Sequence, residues 1–99
     1  DIETSMMLHL APGTVHMEHA QNFRSTSQDR SERFAILGNG KSAKMGWAME
    51  DYHPSGAVGQ ADAATADKGR AVVQAAGAAL AALLAEVAAL PLETVRRQP

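Results

Sequence analysis

TADKGRAVVQAAGAALAALLAEVAALP, residues 65–91, decides the fold, because no other stretch of the chain carries so long a helical pattern. Val72, Val73, Ala76, Leu80, Leu83, Leu84, Val87 and Leu90 recur every three or four positions, the spacing of one helix face. Thr65 suits an N-cap, and Asp67 falls in the first turn, where the helix dipole favours an anion. Pro91 ends the pattern, since proline cannot extend the hydrogen-bond ladder. The stretch therefore predicts a helix over 65–90. Its polar stripe, Arg70, Gln74 and Glu86, is thin. Alanines at 75, 78, 79, 81 and 82 let neighbours approach on several sides. Such a helix needs a sheet or another helix against it, and the remainder of the chain offers no surface of that size.

Working outward, DIETSMMLHLAP opens the sequence. Ile2, Met6, Met7 and Leu10 have helical spacing, and Pro12–Gly13 closes a predicted helix over residues 2–10. From 18 to 46 the chain turns polar. QNFRSTSQDRSER (21–33) has almost nothing to bury and reads as part of one long surface loop, a feature that is usually functional or mobile. FAIL (34–37) is a short apolar run that GNG then breaks. The stretch from Gly46 to Asp62 is irregular again. It holds Trp47, Tyr52, Pro54, Gly56 and Gly59, a mixture typical of loops near binding surfaces.

The chain has 99 residues, 45% of them apolar but many of these alanine, and only 4% aromatic. At about 25 cal/mol per Å² of buried apolar surface, such side chains build a thin core. The expectation is one domain that folds poorly alone. A net charge of −2 gives no pull toward nucleic acid or an anionic membrane. The absence of cysteine excludes disulfides and thiolate metal sites. Residues 71–85 are broken by Gln74 and Gly77, so no bilayer span is expected. The expectation is a cytoplasmic protein with no membrane or nucleic-acid partner.

Several short motifs have the residue types of chemical sites. GNGKS (38–42) has the ending of a phosphate-binding loop, but Ala35 stands where that loop needs its first glycine, and a tight turn is the simpler reading. His16, Glu18 and His19 have the types and spacing of metal ligands, although zinc sites need three rigidly placed groups. Solvated histidines are the simpler reading there. His9 is a lone helical histidine, while His53 shares its loop with Trp47, Asp51 and Tyr52. Glu3 sits in a helical first turn, where the dipole stabilises a carboxylate. That is ordinary helix-start chemistry, and the same placement suits a ligand for a hard divalent metal. Ser5 and Ser55 have no partners in sequence that would make them nucleophiles.

Two stretches in order carry a family resemblance. DIETSMMLHLAPGTVHME (1–18) resembles the segment of creatininase-family amidohydrolases in which a Glu-Thr-Ser triplet opens a helix. GWAMEDYHPSGAVGQADAATADKGRAVV (46–73) resembles that family's later Gly-rich loop and the start of its C-terminal helix. The resemblance implies a three-layer α/β domain with a sheet between helices. It implies hydrolysis of a small amide or cyclic amide at a divalent metal (zinc, manganese or iron) in an enzyme that is usually oligomeric. The family's Glu-x-His-Gly and Asn-Gly-His signatures do not occur in this sequence. On this resemblance the chain is expected to be the C-terminal part of a cleaved enzyme, completed by an N-terminal fragment holding most metal ligands. Glu3 would be a metal ligand or would orient one, with Thr4 and Ser5 positioning the backbone. Trp47, Asp51, His53 and Ser55 would line the substrate mouth or a subunit contact. The alternative is a non-catalytic interaction subunit that docks through its Ala-rich helix.

Overall fold

The computed structural model describes residues 1–95; the last four positions of the expected 1–99 unit lie outside the described residues. The chain is built from helices. The first, α1 (Ile2–Leu10), starts at Asp1, whose carbonyl accepts from the Ser5 N–H at 2.8 Å. It ends where the Ala11 N–H bonds to the Met7 carbonyl and Pro12 begins a 3-10 turn, Pro12–Thr14. The last long helix, α4 (Ala66–Ala89), is capped by the Thr65 hydroxyl, which accepts from the Lys68 N–H at 3.2 Å.

These two helices form the tightest junction in the molecule. Ser5 is fully buried: its Oγ donates to Asp1 Oδ1 at 3.1 Å and accepts from the Thr65 N–H at 3.1 Å. The other Asp1 carboxylate oxygen receives Lys68 Nζ at 3.2 Å. Gly69 lies where α4 crosses α1. A Cβ there would sit 1.7 Å from the Ser5 carbonyl oxygen, so only glycine permits this approach.

Between the long helices lies a second cluster. The two strands, β1 (Asn22–Phe23) and β2 (Gly59–Gln60), pair antiparallel with Asn22 opposite Gln60 and Phe23 opposite Gly59. Helix α2 (Thr26–Arg33) and the four-residue helix α3 (Met49–Tyr52) pack together, and α2 also packs on a 3-10 turn, Leu37–Asn39.

One expectation is corrected here. Residues 18–46 are not one polar loop, because α2 folds within them. Its signal is capping rather than apolar periodicity. Ser25 is the N-cap and accepts from the Ser27 N–H at 3.1 Å. Asp29 lies in the first turn and Arg30 and Arg33 in the last, matching the helix dipole. The strands of the described residues are two residues long and pair only with each other. The sheet of a three-layer α/β domain, expected to be completed by another chain, would come from outside them.

Core burial is scant. Only Ser5, Ala64 and Gly69 are buried among the described residues, and from Gln74 to Val95 every residue is exposed. Leu80, Leu83, Leu84, Val87 and Leu90 are each more than half exposed. The radius of gyration is 19.3 Å, against about 13 Å for a compact domain of this length. By length and composition α4 is able to cross a membrane, with a mean hydropathy of 1.8 over its best 18 residues. This corrects the reading that Gln74 and Gly77 exclude a span: alanine and leucine around them outweigh both. A helix meant for a protein layer meets the same criterion.

Candidate functional site

Helix α2 places Arg30 at the centre of a cleft of about 210 Å³ lined by Ser27, Arg30, Leu37, Lys44, Trp47 and Tyr52 among others. Gly38 makes the placement possible. A Cβ on it would lie 2.1 Å from the Arg30 carbonyl oxygen, so the Leu37–Asn39 turn can press directly on the end of α2. The Arg30 guanidinium lies 4.2 Å from the Trp47 ring centroid and 5.6 Å from that of Tyr52, within cation–π range. The two rings themselves meet edge to face at 6.5 Å. Arg30 Nη1 donates to Thr26 Oγ1 at 2.9 Å, and that hydroxyl donates on to the Asp51 carbonyl at 2.7 Å, tying α2 to α3. Arg30 Nη2 is buried and has no hydrogen-bond acceptor among the described residues.

The GNGKS stretch forms one wall of this cleft. Asn39 Oδ1 accepts from the Lys41 and Ser42 N–H groups at 2.8 and 2.9 Å, and Gly40 takes a left-handed φ of 69°. The backbone donors that a phosphate would need are thus spent on Asn39. The stretch is a tight turn.

The residues singled out in the sequence fall into separate places. Trp47 is half-buried in the Arg30 cluster. Asp51 is exposed, and its Oδ2 accepts from the Ala48 N–H at 2.9 Å at the start of α3. His53 is half-buried: its ring meets Phe23 edge to face at 5.4 Å, and its Nδ1 lies 2.8 Å from Ser55 Oγ. Ser55 is exposed, with its N–H also donating to His53 Nδ1 at 3.1 Å. Glu3 stands apart on α1, exposed, with no hydrogen bond or ion pair among the described residues. Ser5 is sealed from any substrate. Arg30 and Lys44 were missed by sequence reading. Their signal was local: Ser25 and Gln28 have the spacing of a capping box, which would have predicted α2 and put Arg30 on a helix.

Glu18 bridges the two nearby histidines, at 3.3 Å from His16 Nδ1 and 4.0 Å from His19 Nε2, but all three side chains are at least 65% exposed. Among the described residues no group of three or more acidic or histidine side chains is placed to hold a metal ion. The described residues by themselves do not fit a divalent metal centre. Glu3, without a hydrogen bond or ion pair among the described residues, would supply one ligand of such a centre.

Against known proteins, the family model described as Creatininase: Creatinine amidohydrolase matches residues 1–84. No curated protein and no solved structure matches the chain.

Proposed function

We propose, from the premise that this chain belongs to the creatininase family, that it is the C-terminal part of a metal-dependent enzyme hydrolysing a small amide or cyclic amide. Membership itself carries amide hydrolysis with a metal at the level of the family and suggests an α/β fold. The finer reading, an assembly in which an N-terminal part of the same precursor supplies the sheet and most metal ligands, is ours. Within it Glu3 adds one carboxylate to the metal site. Trp47, Asp51, His53 and Ser55 line the substrate mouth or a subunit contact of the assembly, and the assembled unit is a cytoplasmic homo-oligomer.

The family match carries this reading, and the exposed surface supports it. The chain exposes 7878 Å², whereas a compact monomer of its mass exposes about 5,400 Å². The excess, on the order of 2,500 Å², has the scale of an obligate interface. The test is native mass spectrometry of the purified protein, followed by metal analysis and a creatinine-hydrolysis assay. A particle pairing this chain with a second polypeptide, binding metal stoichiometrically, is the expected result. Homogeneous copies of this chain without bound metal would remove the proposal.

A second reading rests on the lack of a metal-holding group among the described residues. Here the chain is a non-catalytic subunit docking through α4. Metal analysis of the same complex separates the two.

A further inference from the structure

We infer that the Arg30 cleft is a binding site for a small organic carboxylate. Its lining holds two cations, Arg30 and Lys44, and no acidic side chain, on a chain whose net charge is −2. Arg24, Lys68 and Arg70 each meet a carboxylate, but neither Arg30 nor Lys44 forms an ion pair among the described residues. Arg30 Nη1 is tied to Thr26 and Nη2 is buried, so Arg30 acts on the cleft it lines through its charge. A carboxylate seated beside Lys44 supplies the countercharge that the lining lacks.

The rest of the cleft narrows the class. A carboxylate is an anion that the Lys44 ammonium can pair with directly, within the field of Arg30. Trp47 and Tyr52 provide ring faces, and Leu37 and Met45 provide apolar walls, for a planar or apolar body. Phosphate is disfavoured, because the loop N–H groups that would cradle it already serve Asn39. A cavity of about 210 Å³ lies below the roughly 300–1,000 Å³ of drug-sized pockets, so the occupant is small. This inference stands on the cleft alone and does not depend on the amidohydrolase reading.

Trp47 is the sole tryptophan in the chain, so intrinsic fluorescence reports on this cleft and nowhere else. The experiment titrates the full chain with benzoate, and with benzamide as a neutral molecule of nearly the same shape. The expected result is saturable quenching by benzoate, on the order of millimolar, with benzamide about tenfold weaker or more because it lacks the charge. Lys44→Gln, at an exposed position, should weaken benzoate at least about threefold with unchanged circular dichroism, and added salt should do the same. Arg30→Gln should abolish saturation. If Arg30→Gln loses helicity, the benzamide comparison and Lys44→Gln decide. Equal binding of benzamide, no saturation by benzoate, indifference to Lys44→Gln, or displacement of benzoate by equimolar inorganic phosphate would each overturn the inference.

Discussion

Ser5 and Gly69 are small residues that set the geometry of everything near them. Ser5→Ala leaves the Thr65 N–H without its buried acceptor, a loss of about 1–3 kcal/mol. Gly69→Ala drives a methyl into the Ser5 backbone and should cost about 1–3 kcal/mol or more, as overpacking does. Both changes should lower the thermal midpoint of the protein in the assembly that carries it. An unchanged midpoint for Gly69→Ala would mean that the helices do not cross there. Glu3 makes the opposite prediction. It has no partner within the described residues, so Glu3→Ala should leave the midpoint nearly untouched while lowering metal content or kcat by about tenfold or more, as loss of a metal-ordering group does. Retention of both metal and kcat removes Glu3 from the site. At this scale the sequence was readable where one residue has one job. Thr65 as a cap and Pro91 as a stop are legible from type and position. Ser5 was not, because its burial depends on a helix that begins sixty residues later.

Among the elements, α4 and α1 were legible and α2 was not. Apolar periodicity marks the first two, and α2 has none: its stability comes from Ser25, from the Arg24–Asp29 pair at 3.0 Å and from dipole-matched charges. Ser25→Ala should cost about 1 kcal/mol of cap energy and loosen Arg30. Trp47 emission would then move toward that of a solvated indole, and an unmoved spectrum would show that the cleft does not rely on the cap. The candidate site was legible only in part for the same reason. Trp47 stood out by type, but its partner Arg30 lay in a segment that offered no pattern. For α4 the test is solubility against association. Leu84→Asp places a charge in the exposed apolar stripe, where a fully buried leucine contributes roughly 1.5–3 kcal/mol. If this face packs in an assembly, sedimentation velocity should show a smaller particle with helicity retained. An unaltered particle would mean that the stripe faces solvent.

At the scale of the whole molecule the described residues form a tight junction, a cleft and a long helix that is uncovered from Gln74 onward. Composition anticipated the thin core, because alanine buries little surface. It could not say which surface is missing, since that depends on where the helices cross. A chain of this shape taken alone should scatter X-rays with a radius of gyration near 19.3 Å and contract only on association; a value near the roughly 13 Å of a compact domain would mean that α4 folds back on the remainder. The join between the two clusters has its own consequence. The α1–α4 junction and the Arg30 cluster are bridged by a two-residue ladder and by the Asp62 N–H on the Gln21 carbonyl at 3.3 Å. So slender a bridge transmits little cooperativity. Amide protons near Ser5 and Gly69 should therefore exchange with deuterium as one class and those of α2 as another, each on its own clock. Ligand added at the cleft should slow the second class and leave the first unchanged.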